Sequence, residues 1–158
     1  TCEHEVVDLG ETVRRVFRML VPLADRTEIK LTANLDRGCY VLSMEDDAYQ
    51  IIFNLVENGI KYNHAGGSVH VTARHTQDEA ELLVEDTGMG IPQDAIEHIF
   101  ERFYRADPSH TGSGTGLVLA IAQSICQAHH AAIRAESGQD STTFRVEIRK
   151  EQGEHHGN

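Results

Sequence analysis

Asn54-Leu-Val-Glu-Asn-Gly-Ile-Lys-Tyr62 is the stretch that decides the fold, because it places apolar and polar residues on opposite sides of a helix. The apolar stripe begins shortly before this stretch and consists of Ala48, Ile51, Ile52, Leu55, Val56 and Ile60. The opposite side carries two amides, a cation and an aromatic ring at i, i+4, i+7 and i+8, namely Asn54, Asn58, Lys61 and Tyr62. The default interpretation is a solvated polar face, and the alternative is a ligand site.

Periodicity in the rest of the chain predicts a mixture of helices and strands. Asp8 and Glu11 form a capping box at the start of a helix whose apolar stripe reaches Ala24. Alternation predicts strands at 29–35, 39–42, 69–75, 80–85, 132–136 and 142–149, and a last helix is expected over 117–129. Because these elements show no regular βαβ alternation, we expect an α/β two-layer sandwich, with a mixed, largely antiparallel sheet of about five strands packed on three helices. One domain is expected over residues 1–150, followed by a polar tail at 151–158.

Composition argues against several classes of function. The 158 residues carry a net charge of −11, which disfavours a nucleic-acid surface but is compatible with a nucleotide held by backbone amides, a few cations and a metal. The 3 cysteines form no CxxC pair and the 10 histidines are scattered, so neither a zinc site nor a disulfide framework is expected. No apolar run reaches the roughly 18 residues of a membrane span. We therefore expect no direct membrane contact from this segment.

Glycines mark two further stretches. Asp86-Thr-Gly-Met-Gly-Ile-Pro92 directly follows a predicted strand, so an acidic side chain is followed by a backbone that can turn tightly beside a ligand. Gly112-Ser-Gly-Thr-Gly116 runs into a predicted helix, where backbone amides and the helix dipole favour phosphate oxygens. Between them lies Phe100-Glu-Arg-Phe103. The segment from about 93 to 114 is expected to be a mobile lid, because its glycines and polar tip give it little to bury.

Four stretches in chain order closely resemble the N, G1, F and G2 boxes of the sensor histidine-kinase catalytic domain, a member of the GHKL or Bergerat ATPase superfamily. They are Asn54 to Tyr62, Asp86 to Pro92, Phe100-Glu-Arg-Phe103 and Gly114-Thr-Gly-Leu117. The resemblance covers nearly the whole chain. It implies the Bergerat fold with a mobile ATP lid, and a kinase that binds ATP and Mg2+ and transfers the γ-phosphoryl group to a histidine. That histidine would lie on a dimerisation domain not present in this chain, and the group would then pass to a response regulator in two-component signalling. The implied location is cytoplasmic, in a parent protein compatible with an inner-membrane anchor.

The resemblance also implies a role for each matching residue. Asn58 would bind Mg2+ through its side-chain oxygen, Asn54 would support the phosphate and metal shell, and Lys61 would pair with a phosphate. Tyr62 would pack on the adenine ring, and Asp86 would accept a hydrogen bond from the exocyclic amine of the base. The implied catalytic set consists of Asn54, Glu57, Asn58, Lys61, Arg102 and Arg105. The implied nucleotide-binding set adds Gly88, Gly90, Ile91, Gly112, Gly114, Thr115, Gly116 and Leu117.

Two alternative functions remain open. Related conformational ATPases hydrolyse ATP with a glutamate one turn before the metal asparagine, and this chain has Asn54 at that position. An amide cannot take a proton from water, which favours phosphoryl transfer over hydrolysis. A non-catalytic nucleotide-binding domain is the second alternative, supported by Val118 at a position where glycine is usual. His130 and Asp140 also replace glycines that are common in the family.

Overall fold

The computed structural model describes residues 5–43, 45–88, 131–137 and 141–149. The described elements, in chain order, are β1 (Glu5–Asp8), α1 (Leu9–Thr27), β2 (Lys30–Leu35), β3 (Tyr40–Ser43), α2 (Glu45–Lys61), β4 (Ser68–His75), β5 (Glu79–Asp86), β6 (Ala131–Ser137) and β7 (Thr142–Arg149). The predicted helix at 117–129, the lid at 93–114 and the tail at 151–158 lie outside these ranges.

Within the described ranges, the main sheet has five strands in the order β2-β4-β5-β7-β6. Only the β2–β4 pair is parallel, and the other three pairs are antiparallel. Both the strand number and the largely antiparallel character are therefore confirmed. The predicted bounds of these five strands agree with the observed ones to within one residue at each end.

A second, two-stranded sheet joins β1 to β3 in antiparallel register, with Val7 opposite Val41. The strand β1 was not predicted, and residues 39–42 were expected to form a strand without this separate pairing. Val7 is buried whereas its neighbour Val6 is 67% exposed, so β1 has one apolar side toward the core. Four residues are too few for this alternation to distinguish a strand from the start of the following helix.

Local signals set both ends of α1. The Asp8 side chain accepts a hydrogen bond from the backbone N–H of Glu11 at 3.3 Å, which confirms the N-terminal half of the predicted capping box. At the other end Glu28 adopts the left-handed conformation, with φ of 61°, and its N–H bonds back to the last turn. The chain can therefore leave the helix and enter β2 directly.

Both helices contribute to one hydrophobic core against the main sheet. Every member of the predicted apolar stripe of α2 is buried. Strand β5 shows how the sheet divides into two faces, because Ala80, Leu82 and Val84 are buried in the core while Glu81 points to the opposite face. This arrangement confirms the two-layer sandwich. Within the described ranges, neither helix is long and apolar enough to cross a bilayer.

The face of the sheet opposite the core carries a network of ion pairs. Glu81 lies between Arg74, at 2.6 Å, and Arg145, at 2.5 Å, and Arg145 also approaches Glu136 at 3.6 Å. Partial burial raises the pKa of Glu81, but the hydrogen bonds from Arg145 and Arg74 outweigh it, so that the pKa lies below its ordinary value. The network links the four adjacent strands β4, β5, β7 and β6 in their observed register.

Candidate functional site

The site is built where the last turns of α2 pass close to the carboxyl end of β5. Gly59 makes this approach possible, because a Cβ atom there would lie 3.2 Å from Val69 Cγ2 and 3.5 Å from Asp86 Oδ2. Glycine in a helix interior costs about 1 kcal/mol relative to alanine, so its presence calls for a packing reason. The close contact supplies that reason, and it places Asp86 directly against the helix that carries Asn54 and Asn58.

Asp86 ends β5 as a buried carboxylate, with only 7% of the residue exposed. Its Oδ1 accepts a hydrogen bond from the backbone N–H of Gly88 at 2.9 Å. Burial raises the pKa of Asp86 to about 6, and the hydrogen bond from Gly88 offsets only part of that effect. Among the described residues no cation pairs with this carboxylate. A buried acid with a raised pKa and a remaining acceptor oxygen is typical of a ligand-binding position.

Gly88 is required at its position because the chain here runs against the end of α2. A Cβ atom on Gly88 would lie 2.5 Å from the carbonyl oxygen of Tyr62 and 3.1 Å from Asn63 Cα. Both neighbours are backbone atoms, which cannot rotate away. The structure therefore brings together three predicted site residues, Tyr62, Asp86 and Gly88.

Thr87, between Asp86 and Gly88, is held by the turn that follows α2. Its Oγ1 accepts from the backbone N–H of Ser68 at 2.9 Å and lies 3.4 Å from Asn63 Oδ1. Asn63 in turn donates to the carbonyl oxygen of Ser68 at 3.0 Å, and His64 Nε2 lies 3.0 Å from the Thr87 carbonyl oxygen. These contacts hold the backbone of residues 86–88 in place, and with it the position of the Asp86 side chain.

The polar side of α2 is not uniformly solvated. Asn54 is only 5% exposed, so the default interpretation of a solvated face is wrong at this residue. Its Oδ1 accepts a hydrogen bond from Gln50 Nε2 at 3.0 Å, while its buried Nδ2 has no partner within residues 5–43, 45–88, 131–137 and 141–149. Asn58 is half-buried one turn later. Buried polar atoms are nearly always paired, which makes the Asn54 amide a candidate ligand contact.

Two charged residues of the predicted set pair with each other on α2. Lys61 Nζ lies 3.7 Å from Glu57 Oε2, in an i, i+4 ion pair. The Lys61 side chain is largely exposed, and a surface pair of this kind contributes little to stability. The lysine can therefore exchange this partner for a more strongly charged ligand at small cost.

Comparison with known proteins identifies the family. A family model described as histidine kinase-, DNA gyrase B-, and HSP90-like ATPase matches residues 43–152. The chain belongs to this ATPase family. The matched segment includes α2, β5 and the whole of the site described above.

Known relatives of this ATPase domain are sensor kinases. The sensor histidine kinase RppB of Synechocystis sp. (strain ATCC 27184 / PCC 6803 / Kazusa) is 40% identical over 132 residues, which are 82% of this chain and 29% of RppB. The catalytic domain of the histidine kinase ThkA superposes with a TM-score of 0.85 at 25% identity, over 94% of this chain and 97% of that one. Full-length ShkA, determined in complex with AMPPNP, gives a TM-score of 0.81 at 29% identity, over 94% of this chain and 31% of ShkA. The ATPase domain thus spans less than a third of RppB and of ShkA.

The described part of the ATPase domain fits a nucleotide with an adenine base. A buried carboxylate such as Asp86 can accept the hydrogen bond of an exocyclic amine. Tyr62 is half-buried, and its backbone lies against Gly88, two residues from Asp86. The unpaired amide donor of Asn54 suits an anionic oxygen. The side-chain oxygen of Asn58 is the kind of hard ligand that Mg2+ prefers.

Several predicted site residues lie outside the described ranges, so their roles stay predictions. They are Gly90, Ile91, Arg102, Arg105, Gly112, Gly114, Thr115, Gly116 and Leu117.

Sequence reasoning also missed residues that shape the site. Gly59 carried a signal, since glycine inside an apolar helical pattern usually has a packing or functional reason. Gln50 could have been found from its position four residues before Asn54, because side chains at that spacing are neighbours on a helix. The hydrogen bonds of Asn63 and Thr87 join residues far apart in the chain, so the sequence around each residue shows no pattern that predicts them.

Proposed function

We propose that this ATPase domain binds Mg-ATP and transfers the γ-phosphoryl group to a histidine on a dimerisation domain, as part of two-component signalling. The observation that carries the proposal is the buried carboxylate of Asp86 beside α2, which no cation pairs with among the described residues. The family resemblance implies that this residue selects adenine. The relatives support it, since RppB is a sensor histidine kinase and ShkA was determined with AMPPNP, which carries an adenine base. The response regulator and the cytoplasmic location of a longer parent kinase belong to the same proposal.

The adenine end of the site would act through positioning. Asp86 accepts the hydrogen bond of the exocyclic amine, a contact that the carbonyl group of guanine cannot make. The close packing at Gly59 and Gly88 keeps that carboxylate buried, where a charge-assisted hydrogen bond is strong. Tyr62 supplies apolar area to the base.

The phosphate end would act through charge neutralisation and alignment. Asn58 would hold Mg2+ through its side-chain oxygen, and the metal, when bound, neutralises phosphate charge. Asn54 would donate its free amide to an anionic oxygen, and Lys61 would leave Glu57 to pair with a phosphate. Arg102, Arg105 and the glycine-rich stretch at 112–116 are proposed to complete this end of the site.

Transfer to a histidine is favoured over hydrolysis by the residue one turn before Asn58. Asn54 has no basic atom that could take a proton from an attacking water. Glu57, the nearest carboxylate on the helix, lies about 100° around the axis from Asn58 and so faces a different direction. An imidazole nitrogen is itself a nucleophile and needs no such base.

The test is incubation with γ-labelled ATP in three mixtures: the domain alone, the domain with the histidine-bearing helical domain of its parent kinase, and the same pair with the acceptor histidine changed to alanine. We expect acid-labile label only on the intact partner. Phosphate release without any acceptor would instead assign the domain to the conformational ATPases. Nucleotide binding with neither label nor release would assign it to the non-catalytic modules.

A further inference from the structure

The amide of Asn54 is held from one side only. Its Oδ1 accepts the hydrogen bond from Gln50 Nε2 at 3.0 Å, and its buried Nδ2 finds no partner in the part of the chain that the structure describes. Asn54 is more than nine-tenths buried, so water does not readily replace the missing partner. Unpaired buried donors are rare in native proteins because the lost hydration is costly. A ligand atom that accepts this hydrogen bond would remove the cost.

Gln50 determines which amide atom of Asn54 remains available to a ligand. The two residues stand one turn apart on α2, at i and i+4, where side-chain amides pair naturally. An amide group is planar, so binding Oδ1 on one side turns the NH2 group to the other side. Gln50 is exposed and can change without disturbing the core.

We infer that Gln50 is a positioning residue, which orients Asn54 so that its NH2 group donates to a phosphate oxygen of the nucleotide. The inference rests on the proposed function, because it concerns the phosphate end of the same site. Phosphate oxygens only accept hydrogen bonds, so the opposite orientation of Asn54 would place two acceptors against each other. Gln50 thus contributes to nucleotide affinity without touching the nucleotide.

Two substitutions at Gln50 test the orientation. Gln50→Leu removes the donor and leaves Asn54 free to turn, so ATP affinity is expected to fall about two- to tenfold, the range of one ordinary hydrogen bond. Gln50→Glu replaces the donor by a group that only accepts, which favours the reversed amide, and the loss is expected to exceed that of Gln50→Leu. Gln77→Leu, at an exposed glutamine in the turn between β4 and β5, is the matched control and should leave affinity unchanged.

The measurement is calorimetry of ATP, with Mg2+ and with chelator, alongside adenosine, which lacks phosphates. Adenosine affinity should stay at the unmodified value in both Gln50 variants, because Asp86 and Tyr62 are untouched. A general loss of structure would instead weaken both ligands, and thermal unfolding of each variant checks this directly. Equal losses for ATP and adenosine, or unchanged ATP affinity in both variants, would overturn the inference.

A further variant distinguishes the reversed orientation, in which Asn54 would offer its oxygen to a metal. Asn54→Asp replaces the donor by a carboxylate, so we expect weaker ATP binding both with and without Mg2+. Stronger Mg2+-dependent binding of ATP would show that residue 54 presents an oxygen to the metal and not a donor to a phosphate. That result would refute the assigned role of Gln50. If the unmodified domain binds neither ATP nor adenosine, the proposed function itself fails. Binding that survives every Gln50 variant refutes only the inference.

Discussion

Replacing Asp86 by asparagine should increase the stability of the domain at neutral pH while weakening its affinity for ATP. Burial raises the pKa of Asp86 from its ordinary value of 3.8 to about 6, so the folded protein binds this proton more tightly than the unfolded chain does. The resulting stabilisation is fully present below pH 3.8 and is lost as the pH rises through about 6. The difference between the two pKa values corresponds to about 3 kcal/mol, which the ionised carboxylate costs the fold above pH 7.

Asparagine is neutral throughout this range and can still accept the hydrogen bond from the N–H of Gly88. The free energy of unfolding of Asp86→Asn, minus that of the unmodified protein, should therefore increase by about 2 kcal/mol between pH 4.5 and pH 8. Any constant penalty for the new amide group cancels in this comparison. ATP affinity should fall about tenfold or more, since a hydrogen bond to a charged group contributes roughly 1.5–3 kcal/mol.

Urea unfolding followed by circular dichroism at several pH values gives the stability difference, and calorimetry with ATP and GTP gives the affinity. Glu85→Gln is the matched control, because it removes the same charge from an exposed position one residue away. A pH dependence as large in this control as in Asp86→Asn would show that the lost charge, and not the burial of Asp86, is responsible. Parallel stability curves for Asp86→Asn and the unmodified domain would refute the assignment of a raised pKa. Equal binding of ATP and GTP by the unmodified domain would show that Asp86 does not select adenine.

Further substitutions at Asn58, Gly88 and Glu81 have expected outcomes, two of them with a matched control. Asn58→Ala should remove the Mg2+-dependent part of ATP affinity and leave thermal unfolding unchanged, and calorimetry that finds the same Mg-ATP affinity would contradict its role. Gly88→Ala should destabilise the domain by about 1–3 kcal/mol in a denaturation experiment, because the new Cβ atom would meet the Tyr62 carbonyl oxygen. The control is Gly10→Ala in α1, where a Cβ atom would make only ordinary contacts at 3.4 Å and beyond. This control should stabilise the domain by up to about 1 kcal/mol in the same experiment. Glu81→Gln should lower the free energy of unfolding at neutral pH, because the lowered pKa of Glu81 gives a stabilisation that protonation removes. The loss of stability relative to the unmodified domain should therefore shrink as the pH falls below 4.5. A loss independent of pH, or an equal loss in the exposed Glu79→Gln, would contradict a stabilising role of the ion-pair network.

The main sheet and α2 could be predicted because their side-chain patterns are local. Buried residues recur several times along α2, from Ala48 to Ile60, and along β4 and β5. That repetition distinguishes the 3.6-residue period of a helix from the two-residue period of a strand. The ribbon of β1 and β3 could not be predicted in the same way. Its register depends on partners far apart in the chain, such as Val7 and Val41, and four residues repeat too seldom to identify a strand.

Sequence motifs nominate the residues of the candidate site but do not give their environments. Asp86 and Asn58 follow from motif order, whereas the burial of Asn54 and its contact with Gln50 depend on how α2 is rotated against the sheet. That rotation is set by the contact of Gly59 with Val69 and Asp86, which joins residues from three elements. Helical spacing places residues on a face, but it does not determine how deeply that face is buried.

The β1–β3 ribbon makes the two helices mechanically dependent on each other. Strand β1 continues without a break into α1, β3 is followed within two residues by α2, and the backbone N–H of Leu9 bonds to the carbonyl oxygen of Cys39 at 3.0 Å. A force applied to the chain at Glu5 would pull along paired strands, so several hydrogen bonds would share the load before any one of them broke. The same load would reach the start of the helix that carries Asn54 and Asn58. The ribbon is thus one hydrogen-bonded route by which tension on β1 can reach the helix that carries the candidate site.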